Sequence, residues 1–127
     1  MQISDSQTNE AELAALGADA VRLLCLGDLF TLTSRYEYAV ALGRESVAAI
    51  RDDLAYCLTE LRAACLLPVA EGVSATVKYF APNDAGLFAL VQSLAPAENG
   101  AEVLVELVVT IKETHKHVTL EQLSVAA

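Results

Sequence analysis

The stretch EVLVELVVTIK, residues 102–112, places Val103, Val105, Leu107, Val109 and Ile111 at every second position. Side chains of an extended chain return to the same face every two residues, so this alternation predicts a strand with one face buried throughout. Glu106, Thr110 and Lys112 mark the opposite face as at least partly wet. The segment decides the fold class because the patterning on its two sides differs in kind.

On its C-terminal side comes KETHKH, residues 112–117, and then a last apolar segment, VTLEQLSV. The polar residues around Thr114 read as a solvated hairpin loop holding both histidines of the chain, His115 and His117. Two residues apart, these histidines would project to one face if extended, as a metal-ligating pair requires. No motif supplies a third or fourth ligand: there is no His-Glu-x-x-His, no Cys-x-x-Cys and no facial-triad pattern. The expectation is therefore a loop without metal. On the N-terminal side, LFALVQSL and VSATVKYF read as two further strands, with PNDAG and PAENG as turns.

Before residue 68 the period changes to that of a helix. Leu13, Leu16, Ala20, Leu23 and Leu24 line one face of a first helix. Asn9 stands at its N-cap, with Glu12 placed to reach back in a capping box, and Gly27 at its end. From Arg44 to Leu66, Val47, Ile50, Leu54, Cys57, Leu58, Leu61 and Cys65 share one face of a long helix, which Pro68 blocks. Between them, DLFTLTSRYEYAVALG, residues 28–43, fits both periods. Asp28 as N-cap, Gly43 as stop and the length of the segment favour a helix. Three helices followed by strands predict an α+β domain spanning residues 1–127: three N-terminal helices packed on one face of a C-terminal antiparallel sheet of about four strands, with residues 1–8 frayed.

Composition narrows the chemistry. The chain has 127 residues, 54% of them apolar, with 17 acidic against 8 basic residues and a net charge of -9. A chain this apolar can bury enough surface to fold, and part of the excess is expected on a subunit interface, such as that of a homodimer. An acidic field repels phosphate backbones, so a nucleic-acid partner is not expected, whereas a basic protein partner is compatible with it. No apolar run approaches the roughly 18 residues of a membrane span, and the N-terminal residues do not read as a signal peptide, so a cytoplasmic setting without membrane association is expected. Cys25, Cys57 and Cys65, odd in number, are expected to be reduced.

Nucleophile and phosphate-binding signatures are missing. No glycine-rich phosphate loop or Gly-x-Ser-x-Gly elbow occurs. Cys57 and Cys65, on the apolar stripe, read as core thiols rather than nucleophiles. Asp52 and Asp53 are neighbours on a helix, pointing about 100° apart, and read as a solvated face rather than an acid–base pair. Phe30, Tyr36, Tyr38 and Tyr56 read as helix-packing groups, tyrosine being also a favoured interface anchor. No catalytic, cofactor-binding or metal-ligating residue is assigned, and no cofactor.

The order helix, Gly27-Asp28, helix, Gly43, long helix and then a strand-rich half resembles the cystatin-like α+β folds that include the nuclear-transport-factor-like proteins. That resemblance implies a helix-covered cone of strands enclosing a small-molecule or enzymatic pocket. The paired carboxylate and histidine usual in such pockets have no match here. Acidic immunity proteins, which mask basic toxin enzymes, share the size and charge without sharing one fold. The leading expectation is thus a non-catalytic protein–protein interaction domain, with immunity- or antitoxin-like masking of a basic partner as its most concrete form; the cone-shaped pocket is the second.

Overall fold

A computed structural model describes residues 1–69 and 73–126. Three helices, α1 (Glu10–Leu26), α2 (Leu29–Tyr36) and α3 (Ser46–Leu61), pack on one face of a five-stranded antiparallel sheet. Its strands are β1 (Gln2–Ile3), β2 (Ala75–Tyr79), β3 (Leu87–Pro96), β4 (Glu102–Lys112) and β5 (His115–Val125), in the order β1-β5-β4-β3-β2. The α+β class and the sided packing are as the sequence reads, with one strand more.

That additional strand comes from residues expected to fray. Gln2 and Ile3 pair with His117 and Lys116, and Ile3 is buried. Asp5 accepts from the Lys116 ammonium at 2.8 Å, and the same ammonium lies 4.9 Å over the Phe88 ring. An apolar residue three positions into a polar segment is enough to anchor it where a free strand edge is waiting.

α1 begins at the expected cap, with the Asn9 side chain accepting from the Glu12 amide at 2.8 Å, but among the described residues the Glu12 carboxylate makes no return bond to the Asn9 amide, so the capping box is only half formed. It closes at Gly27, whose φ of 76° gives the left-handed turn that returns its N–H to the Leu23 and Leu24 carbonyls. α2 starts where Asp28 caps the Thr31 amide but stops at Tyr36, not at Gly43. Glu37 turns to a φ of 53°, and the chain then adds to the sheet: Leu120 donates to the Glu37 carbonyl at 3.0 Å and Ala39 donates to the Leu120 carbonyl at 2.9 Å. Residues 28–43 are therefore helix to Tyr36, then a single bridge at Tyr38 and turns, so the expected helix holds for the first half of the segment only. β1 and residues 37–39 together cover the outer edge of β5.

α3 ends at Leu61, five residues short of the expected Leu66, and Cys65 lies exposed beyond it. The stop is tertiary. Arg62 is left-handed at φ 57°, the Asn99 amide donates to the carbonyls of Leu61 and Arg62 at 3.0 and 3.1 Å, and the Ala64 amide donates to the Glu98 carboxylate. The β3–β4 turn thus satisfies carbonyls that the helix leaves open.

β4 and β5 join through only two residues, Glu113 and Thr114, with Glu113 at φ 57°. His115 and His117 are consequently strand residues, not loop residues. Facing the helices, Val103, Val105, Leu107 and Val109 of β4 are essentially sealed, and they share one core with Leu13, Leu32, Tyr36 and Ile50. Ile111 breaks the expected run at 44% exposed, because the last pleat before the hairpin projects past that core. α1 lies close against β3 at Gly17, where a Cβ would stand 2.5 Å from Ser93 Oγ and 2.9 Å from a Val91 methyl.

Candidate functional site

Directly paired residues on antiparallel strands share a face, so the register fixes what the side of the sheet away from the helices presents. Along β4 it is Glu102, Leu104, Glu106, Val108, Thr110 and Lys112. Leu104 lies between Leu94 and Ser124, Glu106 between Gln92 and Gln122, and Val108 between Leu90 and Thr119. Thr76 and Lys78 of β2 extend the Glu106 and Val108 rows, and His117 and His115 pair with Thr110 and Lys112. Apolar and polar rows alternate down a surface on which Leu94 is 37% exposed and Leu90, Leu104 and Val108 are half-buried.

The middle of this face is polar but preorganised. Glu106 is only 8% exposed, and its two carboxylate oxygens accept from Gln92 Nε2 at 3.1 Å and Gln122 Nε2 at 2.8 Å. A buried carboxylate with both oxygens occupied carries little further desolvation cost if the face is covered. Beside it a depression of about 320 Å³ is lined by Ser74, Thr76, Gln92, Leu94, Leu104 and Ala126. A second, of about 210 Å³, continues past Leu94 to Val69, Pro96 and Glu102.

The helix side behaves differently. Tyr36 is fully buried, and its hydroxyl donates to Asp19 at 2.7 Å, while Arg35 and Arg22 donate to the same carboxylate. Burial pushes the Asp19 carboxyl up, but hydrogen bonds from Tyr36, Arg35 and Arg22 together hold it below the usual carboxylate range. Tyr38 repeats the arrangement: its hydroxyl donates to Asp53 at 2.6 Å, and Arg44 grips the two oxygens of Asp53 at 3.0 and 3.1 Å. The Arg44 bonds, opposed by partial burial and helped by Tyr38, hold Asp53 low. Burial, reinforced by the neighbouring carboxylate, pushes both tyrosine hydroxyls well above their ordinary value. Neither tyrosine ionises near neutral pH. Each unit fastens the α2 region to α1 or α3 instead.

These placements sort the residues singled out by sequence. Cys57 is buried, and burial first, then Asp53, raises its thiol; burial pushes Cys25 up to about 11. All three cysteines are free, but Cys65 is exposed rather than in the core. Asp52 is solvated, whereas Asp53 is held by Tyr38 and Arg44. Tyr36 and Tyr38 are core groups; Phe30 and Tyr56 are exposed at 75% and 67%. His115 and His117 do project to one face, the outer one, with His115 Nδ1 3.0 Å from Gln2 Nε2. Among the described residues no group of three or more His, Cys, Asp or Glu side chains could hold a metal ion.

The space between the helices and β4 is occupied by Ile50, Cys57, Val103, Val105, Leu107 and Val109, which belong to one core cluster. Ser93 Oγ is turned into that layer, buried and without a hydrogen-bond partner among the described residues, against the α1 backbone at Gly17. Sequence reading missed the Glu106 row because glutamines 14 and 16 residues away have no local signature. It missed the Tyr–Asp–Arg units for the same reason. No helix among the described residues is long and apolar enough to cross a membrane. No protein-family model matches the chain, and comparison with curated proteins and with solved structures found no match.

Proposed function

We propose that this chain is a non-catalytic protein–protein interaction domain that presents the outer face of its sheet to a protein partner. The observation that supports this is the outer face itself: Leu90, Leu94, Leu104 and Val108 stand in alternate rows with Gln92, Glu106 and Gln122, and no described element covers them. A mixed surface of this kind has apolar rows flanking hydrogen-bonding groups already oriented, a combination that specific interfaces use. The net charge of -9 favours a basic over an acidic partner at long range, so masking of a basic protein, as immunity and antitoxin proteins do, is the form to which the proposal extends.

A photo-crosslinking side chain at Leu104 tests it, in purified protein added to extract of its native cells. The expected result is a discrete protein adduct, with a second copy or another protein, that is competed by unmodified protein and is absent when the probe sits at Arg51 on the exposed side of α3. Equal, uncompeted labelling from both positions, or none from Leu104, overturns the reading.

A further inference from the structure

We infer that the occupant of the outer face is a second copy of this chain, packed sheet on sheet about a twofold axis that runs across the strands. This rests on the interaction reading above and commits it to one partner, a copy with the same net charge of -9, so that local pairing on the face and not the long-range field selects the occupant. The first support is area. β3, β4 and β5 hold 10, 11 and 11 residues. At about 3.4 Å per residue and 4.8 Å per strand, with the short β2 added, the face measures roughly 600 Å². A pair would cover roughly 1,200 Å², above the roughly 1,000 Å² expected of a biological interface.

The second support is the distribution of charge. At one end of the face stands Glu102, on the pleat next to Leu104. At the other stands Lys112, paired with His115, while Lys78 on β2 lies nearer the middle, in the Val108 row. Asp84 and Glu113 belong to the turns beyond that end, and Glu98 belongs to the β3–β4 turn, where it accepts from the Ala64 amide. Two copies related by an axis parallel to the strands would set like ends together. An axis across the strands sets acidic end over basic end.

The register fixes which residues such an axis brings together. Outward residues of β4 are spaced evenly about Leu107, so an axis crossing there sets Glu102 against the partner copy's lysine at position 112 and the Glu106 row against the Val108 row. The Leu94–Leu104 row then meets the Thr110–His117 row. Aligned sheets cross at about 30°, which moves the Glu102 contact sideways by one or two strands, toward His115 when the rotation carries it to the β5 side. Glu106 enters the contact with both oxygens already bonded, so it does not oppose burial.

Sedimentation velocity over a micromolar-to-millimolar series tests the inference. The expected species has twice the 13.5 kDa mass of the chain. Leu104→Lys should abolish it, and Glu102→Lys or Lys112→Glu alone should weaken it by roughly tenfold or more, since each sets two like-charge pairs in the interface. Mixing these two charge variants should restore dimer, because both pairs become attractive again. Each variant's far-ultraviolet circular dichroism and urea midpoint show that it remains folded. A chain monomeric throughout the series overturns the inference, as does a dimer indifferent to Leu104→Lys and to mixing. If the chain is monomeric but the Leu104 probe captures a foreign protein, the second copy is wrong and the interaction reading stands; with neither, both fall.

Discussion

Gly17→Ala should destabilise this protein, against the usual effect of that exchange in a helix. In an exposed helix interior alanine is favoured over glycine by about 1 kcal/mol. Gly17 sits in the middle of α1 and is buried on β3. An added Cβ would meet Ser93 Oγ at 2.5 Å, a Val91 methyl at 2.9 Å and Ala75 Cβ at 3.3 Å. Ser93 can rotate, having no hydrogen bond to lose, but Val91 is fully buried and β3 is fixed between β2 and β4. Overpacking of this sort costs about 1–3 kcal/mol, so after the propensity gain the net loss should be up to about 2 kcal/mol. With about 2.1 cal/mol/K of unfolding entropy per residue, 127 residues convert that to a fall in Tm of up to about 8 °C. Ser93→Ala removes a buried hydroxyl without a partner and should be neutral or stabilising by up to about 1 kcal/mol. Combined with Gly17→Ala it should recover part of the loss, so the two substitutions should not add. Urea denaturation of the four proteins measures this cycle. A Gly17→Ala protein stabilised by the full helix-propensity gain of about 1 kcal/mol, or strict additivity, would refute the close approach of α1 to β3.

Burial orders the thiols: Cys65 should react quickly with a bulky alkylating reagent in the folded protein, Cys25 and Cys57 slowly, and Cys57→Ser should cost on the order of 1–3 kcal/mol in a denaturant titration. Rapid labelling of Cys57 would contradict its placement. Asp19 and Asp53 are held below 3.8, so the stability they contribute is present above that value and is lost as pH falls through the lower folded values; Asp19→Asn with Asp53→Asn should flatten the melting profile below about pH 4. Tyr36 and Tyr38 are raised above 10.0, so the folded chain keeps protons that the unfolded chain releases, and Tm should fall as pH rises above 10.0, less steeply in a Tyr38→Phe variant. His115→Gln with His117→Gln should alter stability by no more than about 0.5 kcal/mol and leave Tm indifferent to zinc or nickel; a metal-dependent rise that vanishes in the double variant would make the pair a site.

Local patterning was sufficient wherever one chemical preference repeated along the chain. The alternation in β4, the Asn9 and Asp28 caps, the Gly27 stop and the helical stripe through Ile50 and Cys57 all rest on backbone periodicity or on bonds within four residues. Those determined the class, the order of elements and which face of each turns inward. What the tertiary structure decided lies at element ends and across strands. α3 stops at Leu61 because Asn99 and Glu98, more than 30 residues later, take its terminal groups, and no local signal at Leu61 anticipates a partner so distant. Residues 37–39 leave the helix because the free edge of β5 offers backbone bonds, and Gln2–Ile3 become a strand for the same reason. The outer face exists only through register: Glu106 meets Gln92 and Gln122 when three strands align to the residue, and a slip of one would turn each side chain to the other side. Side-chain periodicity is a local property of the backbone, whereas register and termini are settled by whichever distant donor or acceptor the folded chain brings within reach.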